Sequence, residues 1–225
     1  MIPNIFKAYD IRGLVGSELT KQFAFSTGVA VAKFLELERE PATVVIGEDM
    51  RPSSPELADA FSAGVNSQGL DVIRIGLAST DMLYFAAGKL NLPGAMFTAS
   101  HNPAEYNGIK LCLSGARPIG QDSGLNWIKE AIREGAPMAL RNTGIVKEKS
   151  MLDEYVNFLF DLFPKDTFAR SFQGRKLVIA IDAGNGMGGY TAPAVMSKIA
   201  AEIYRYVNTS ENSILDTETG EIKST

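Results

Sequence analysis

The feature that most constrains this chain is an alternation of short apolar runs with segments of helical period. Thr43-Val-Val-Ile46, Asp71-Val-Ile-Arg-Ile75 and Gly94-Ala-Met-Phe97 have the length and composition of buried strands. Between the first two, Leu57, Ala60, Phe61, Gly64 and Val65 recur at helical spacing and mark one buried helix face. Ser53 or Ser54 is placed to N-cap that helix, Pro55 suits its first turn, and Gly69 stops it. Residues 17–38 and 80–90 also read as helices, the former from Phe23, Ala30, Phe34 and Leu37. Strand, helix, strand in succession builds right-handed βαβ units and a mostly parallel sheet sandwiched by helices. A fourth strand, Gly108-Ile-Lys-Leu-Cys-Leu113, follows the third after about ten residues, too few for a crossover helix. It is therefore expected to run antiparallel, at the sheet edge.

A helix near 122–134 leads to Gly135-Ala-Pro137 and a polar stretch to Ser150. That composition shift puts a domain boundary there, giving 1–148 as one α/β domain and 149–225 as a second. The second opens with an amphipathic helix at 151–163, ended by Pro164. Arg175-Lys-Leu-Val-Ile-Ala-Ile-Asp182 is its strand, and a helix over about 190–201 follows the glycine-rich string to Gly189. One strand and two helices cannot build a covered sheet, so this second domain reads as incomplete, with an unpaired strand edge.

The function classes that fit are narrowed by charge and cysteine usage. A formal net charge of -4 over 225 residues offers no basic footprint for general nucleic-acid binding. The single cysteine, Cys112, excludes an internal disulfide and fits a reducing compartment. No apolar run reaches the roughly 18 residues of a membrane span, and the N-terminus has no signal-peptide pattern. The expectation is a cytoplasmic protein, with oligomeric state undetermined.

The densest reactive string is Thr98-Ala-Ser100-His101-Asn102-Pro103, directly after the third strand. Open α/β sheets bind ligands beyond the carboxyl ends of their strands. Ser100 there can act as a nucleophile, and His101 is the only histidine; the same residues also make an ordinary strand-end turn. A serine hydrolase is disfavoured, because the chain lacks a G-x-S-x-G elbow and sequence neighbours rarely form a triad. If strands three and four are adjacent, Lys110 returns beside Ser100; it equally suits a solvated edge strand. Tyr9-Asp-Ile-Arg12-Gly13 offers a guanidinium that can grip a phosphate, or a plain Asp–Arg surface pair. Asp182-Ala-Gly-Asn-Gly-Met-Gly-Gly189 sits where a phosphate loop would, yet matches neither nucleotide-binding glycine motif; close helix–strand packing is the other reason for such glycines.

Taken in order, five strings resemble the α-D-phosphohexomutase family: Lys7-Ala-Tyr-Asp-Ile-Arg-Gly13, Gly47-Glu-Asp-Met-Arg-Pro-Ser-Ser-Pro55, Thr98-Ala-Ser-His-Asn-Pro103, Tyr106-Asn-Gly-Ile-Lys110 and Asp182-Ala-Gly-Asn-Gly186. The opening string resembles the phosphomannomutase/phosphoglucomutase branch. The resemblance implies a phosphoserine at Ser100 that gives its phosphoryl to a hexose phosphate (mannose or glucose), through a hexose 1,6-bisphosphate intermediate that also serves as activator. It implies Mg²⁺ on the phosphoserine oxygens, Lys110 and His101 assisting catalysis, and Tyr9, Arg12 and Asn102 binding substrate. The family's D-G-D-x-D-R metal loop is missing, and no Asp-x-Asp occurs anywhere in the sequence. The metal's only ligand here would be the phosphate on Ser100. The chain is therefore expected to be an N-terminal part, inactive alone; the alternative is a non-catalytic phosphosugar-binding or interaction module.

Overall fold

The computed structural model describes residues 5–135, 143–164, 177–198, 201–208, 212–215 and 222–224. The chain divides into two compact units, Met1–Ser150 and Met151–Thr225. Arg175, Lys176, Pro137 and the 199–200 stretch, all used in the sequence reading, lie outside the described residues.

In the first unit the elements run β1 (Ile11–Leu14), α1 (Lys21–Leu37), β2 (Thr43–Glu48), α2 (Ser54–Ser67), β3 (Asp71–Leu77), α3 (Thr80–Leu90), β4 (Gly94–Phe97), β5 (Tyr106–Leu113), β6 (Arg117–Pro118), α4 (Asn126–Glu134) and β7 (Val146–Glu148). They form one sheet in the order β1-β5-β4-β2-β3-β7, with β6 pairing β5. β2 runs parallel to β3 and β4, and β7 parallel to β3. β5 runs antiparallel to β4, as the short link requires. The expected edge position of β5 is incorrect: β1 pairs along its other side, Ile11 opposite Ile109. An inner strand is covered on both faces, which accounts for the burial of Ile109, Leu111, Cys112 and Leu113. β7 was hidden by its polar, exposed sequence, so the polar stretch before Ser150 includes a strand.

Helices cover both faces of the sheet. Val44 and Ile46 of β2 join Phe61, Val65, Ala30 and Phe34 of α2 and α1 in one core. Val45 and Met96 point oppositely and are equally buried, on the face where α3 packs against β2 and β4. α1 begins at Lys21, later than its periodicity predicts, because Thr20 caps it by accepting from the Phe23 amide at 3.1 Å. α1 and α2 cross closely: a Cβ on Gly28 would fall 2.2 Å from the Phe61 carbonyl oxygen, and one on Gly64 the same distance from that of Phe25. Only glycines permit that approach.

The second unit contains α5 (Leu152–Asp161), β8 (Leu177–Asp182), α6 (Gly188–Met196), β9 (Ala201–Asn208), β10 (Asn212–Leu215) and β11 (Ile222–Ser224). Its sheet has four strands in the order β11-β10-β9-β8, which corrects the expectation of a single strand. β9 pairs in parallel with β8, so one edge of β8 is covered. α6 ends earlier than the reading to 201, leaving that residue to open β9.

Candidate active site

β2 and β4 are parallel neighbours, so the residues that follow them emerge side by side at the same end of the sheet. After β4 come Thr98 to Asn102; after β2 comes Asp49-Met50-Arg51. The Asp49 amide donates to the Phe97 carbonyl at 2.9 Å and ties the two exits together.

Ser100 is the exposed tip of its loop and has a left-handed backbone, φ 56°. A non-glycine residue adopts that conformation only when neighbours hold it there. Two local bonds contribute: Thr98 Oγ1 accepts the Ser100 amide at 2.9 Å, and the Ala99 carbonyl accepts the Asn102 amide at 3.1 Å. Ser100 Oγ lies 3.3 Å from His101 Nδ1, with either group donating according to the histidine tautomer. His101 is also exposed, so the serine and its hydrogen-bond partner both face solvent.

Beside this loop, Asp10, Arg12, Lys110 and Asn102 form one polar relay. Asp10 Oδ2 accepts from Arg12 Nη2 at 2.5 Å and from Lys110 Nζ at 2.9 Å. Arg12 Nη1 donates onward to Asn102 Oδ1 at 2.6 Å. The β1–β5 pairing brings Asp10 and Arg12 to Lys110, residues a hundred positions apart. Burial of the Asp10 carboxyl raises its pKa, but the hydrogen bonds and charges of Lys110 and Arg12 outweigh that, and the net shift is downward. Asp10 is thus an anion that fixes two cations. Lys110 returns on the strand next to the one that leads into the serine loop and bonds Asp10, which joins it through Arg12 to Asn102, two residues beyond Ser100. Tyr9 stands apart from this relay, 76% exposed.

The sequence reading did not nominate Arg51, Asp49, Ser54 or Asn107 as site residues, although all four lie in quoted motifs. Asp49 Oδ1 accepts from Ser54 Oγ at 2.6 Å and from the Arg51 amide at 3.1 Å. Asn107 Nδ2 donates to Ser53 Oγ at 2.8 Å and Ser54 Oγ at 2.9 Å. Ser53 precedes α2, as an N-cap should, but makes no capping hydrogen bond; its hydroxyl serves the network. A usable signal was present: Asp-x-Arg directly after a buried parallel strand belongs to the same sheet end as the serine loop.

Among the described residues no group of three His, Cys, Asp or Glu side chains is placed to hold a cation. The carboxylates near the serine do not supply a magnesium site, since Asp10 and Asp49 are both committed to cations and hydrogen bonds. No helix of the described residues is long and apolar enough to cross a membrane.

Residues 3–138 match the family profile described as phosphoglucomutase/phosphomannomutase, alpha/beta/alpha domain I. The chain is 37% identical over 199 residues to a phosphomannomutase of Escherichia coli, covering 87% of this chain and 42% of that protein. It is equally identical over 187 residues to a phosphomannomutase of Vibrio cholerae, covering 82% and 39%. Among solved structures, a phosphoglucomutase/phosphomannomutase family protein from Burkholderia thailandensis superimposes with a TM-score of 0.76 at 29% identity, over 89% of this chain and 43% of that one. The chain thus spans about two-fifths of the length of the relatives it matches. With residues 3–138 matching that profile, 37% identity to a phosphomannomutase over most of the chain and a TM-score of 0.76 to a solved family structure, the chain belongs to the phosphoglucomutase/phosphomannomutase family.

Proposed function

We propose that this chain carries the phosphoryl-bearing part of a phosphohexomutase, an isomerase that interconverts hexose 1-phosphates and 6-phosphates. Residues 1–148 are read as the phosphoserine-bearing domain and 149–225 as part of a second one. The observation that carries the proposal is Ser100: a hydroxyl on an exposed, left-handed strand-end tip, beside one histidine and within a loop that Arg12 joins to the Asp10–Lys110 pair. In the transfer, the P–Oγ bond of phosphorylated Ser100 breaks as a sugar hydroxyl oxygen bonds to phosphorus. The bonding electron pair returns to Oγ, which takes up a proton from His101 Nδ1 beside it, while the proton of the sugar hydroxyl, on the opposite side of phosphorus, leaves to solvent. Arg12 and Asn102 offer donors to a phosphate, with Arg12 held in place by Asp10. Lys110 acts on this end of the site through Asp10, and Tyr9 offers an exposed phenol at its rim.

The substrate class is a hexose phosphate, mannose or glucose, with the 1,6-bisphosphate as intermediate and activator. Mg²⁺ would neutralise charge on the phosphoryl oxygens; the described residues provide no carboxylate set for it, so only the phosphate on Ser100 would bind it. The 225-residue chain is accordingly proposed to accept a phosphoryl group but not to complete the isomerisation. A cytoplasmic setting suits its single free, buried thiol.

The test is to incubate the chain with glucose or mannose 1,6-bisphosphate and Mg²⁺, then measure intact mass and map the modified peptide. One stable phosphoryl group on Ser100 is expected. An unmodified protein that still binds hexose phosphate by calorimetry would instead favour a non-catalytic phosphosugar-binding module.

A further inference from the structure

Arg51 makes an unusual set of bonds. Its side chain is 7% exposed, and its guanidinium donates to four backbone carbonyls of one loop. Nη2 reaches the carbonyls of Ser100 at 2.9 Å and Asn102 at 2.7 Å. Nη1 reaches those of Pro103 at 2.7 Å and Tyr106 at 2.9 Å. Nε lies 3.3 Å from Asp49 Oδ2 without the alignment of a hydrogen bond. The loop therefore wraps a buried cation with its carbonyls, which leaves the side chains of Ser100 and His101 on the solvent side.

We infer that Arg51 is a positioning residue for phosphoryl transfer at Ser100: it sets the conformation of the 100–106 loop and thereby the place and direction of the serine hydroxyl. The loop cannot hold this shape by itself. Its carbonyls point inward, away from water, and each would lose the guanidinium as donor if it left, that of Pro103 keeping the Tyr106 amide at 3.1 Å. The left-handed φ of Ser100 is a local strain that two short-range bonds only partly oppose. Arginine is required in particular, because its planar fork serves two pairs of acceptors at once; a lysine ammonium in the same place is a point donor that cannot span them. Asp49 keeps the fork in register, from the strand exit next to that of the serine. The inference rests on the phosphoserine reading of Ser100 for its functional half, and on geometry alone for its structural half.

The experiment compares the 225-residue protein with Arg51→Lys and Arg51→Met, by amide hydrogen exchange and by phosphoryl uptake from glucose 1,6-bisphosphate measured by intact mass. The amides of Ser100, Asn102 and Tyr106 report the loop, and those of β2 and β5 report the core. Both variants are expected to speed loop exchange by at least about tenfold; core protection is expected to be retained in Arg51→Lys, which keeps a cation beside Asp49, and lowered in Arg51→Met, which leaves that buried carboxylate unpaired. Uptake at Ser100 is expected to slow by about 100-fold, in line with a misplaced reacting group. Loop exchange within about threefold of the parent overturns the inference. So does a joint loss of core and loop protection in both variants, which would make Arg51 a general stability element, and so does a loosened loop with unchanged uptake. A parent protein that takes up no phosphoryl group would instead remove the phosphoserine reading and the functional half of this inference with it, leaving the loop-anchoring claim to be decided by exchange.

Discussion

Two loops in this chain leave the carboxyl end of a parallel strand, the position where open α/β sheets bind ligands. The loop after β4 carries Ser100; the loop after β8 is the glycine-rich string before α6. They are held in different ways. The serine loop is bound by a buried arginine about fifty residues distant, through bonds spanning 49 to 55 positions. The glycine loop is held, among the described residues, by short-range bonds: Asp182 Oδ1 to the Gly184 amide at 2.9 Å and the Ala183 carbonyl to the Gly186 amide at 2.8 Å. Gly184 has φ 50°, a left-handed turn that glycine makes without strain. Among the described residues, close helix–strand packing does not explain Gly188 and Gly189, where an added Cβ would sit an ordinary 3.6 Å from that of Ala183. Location at a strand end thus does not set how such a loop is held. Among the described residues, what separates the two is a long-range network that fixes a strained residue.

The sharpest way to break this comparison is to ask which loop accepts phosphate. Ser100→Ala should abolish stable phosphoryl uptake, because Ser100 is the exposed hydroxyl of the loop and the neighbouring Thr98 is buried. Asn185→Ala, in the glycine loop, should leave uptake within about twofold, as expected of an exposed position outside the site. Uptake that survives in Ser100→Ala would place the carrier elsewhere.

The next largest effect concerns stability. Asp49→Ala removes the acceptor of Ser54 and of the Arg51 amide, and leaves the buried Arg51 charge without its carboxylate. A loss of about 3 kcal/mol is expected, as for other broken buried pairs. Asp182→Ala removes only a local turn bond and should cost less than about 1 kcal/mol. Urea unfolding of both variants against the parent measures the contrast; equal losses would mean that the two loops are anchored alike.

How far these differences were legible in the sequence depends on the range of the interactions involved. β2, α2, β3, α3 and β4 were readable because their own residues carry the pattern, as with Leu57, Phe61 and Val65 on one helix face. β1 and β7 were not, because four- and three-residue edge strands exist only through their pairing partners. The same holds at the site. Ser100, His101 and Asn102 stand in one string after a strand, so their placement followed from local order. The partners of Lys110 and Arg51 are set by register and by loop wrapping across the sheet, which no local string encodes. β8 was read from its own apolar run, but β9, β10 and β11 were missed for a related reason: 201–208 reads as helix end and linker until β8 pairs with it.

Acid should sharpen the picture further, on a smaller scale. The Asp10 carboxyl has a lowered pKa because Lys110 and Arg12 together outweigh its burial. A depressed carboxylate stabilises the fold fully above the unfolded-state pKa, about 3.9 for aspartate, and that contribution disappears as pH falls through the lower folded-state value. Unfolding midpoints measured from about pH 6 down to pH 2 should therefore fall more steeply in the parent than in Asp10→Asn. At neutral pH the variant should already be weaker, since Lys110 and Arg12 would face each other without the anion. Parallel pH curves would show that Asp10 does not couple folding to protonation.

The smallest expected signal is the reactivity of Cys112. It lies on β5, paired opposite Gly94 of β4, the strand that leads into the serine loop. Burial pushes its thiol pKa up to about 12. The thiolate is the reacting form, so at pH 8 only about one molecule in ten thousand would be ionised, and that one is shielded from reagent as well. Labelling by a thiol reagent therefore requires α3 to lift from β4 and β5, and its rate in the folded protein reports how often that packing opens. No measurable reaction over hours is expected below the unfolding transition, with complete reaction above it. A cysteine placed in the glycine loop, Asn185→Cys, should react within minutes, because that position is exposed. If Cys112 in the folded parent reacted at a comparable rate, the packing of α3 on the strands beneath the serine loop would be opening freely, and the rigid frame attributed to that loop would not exist.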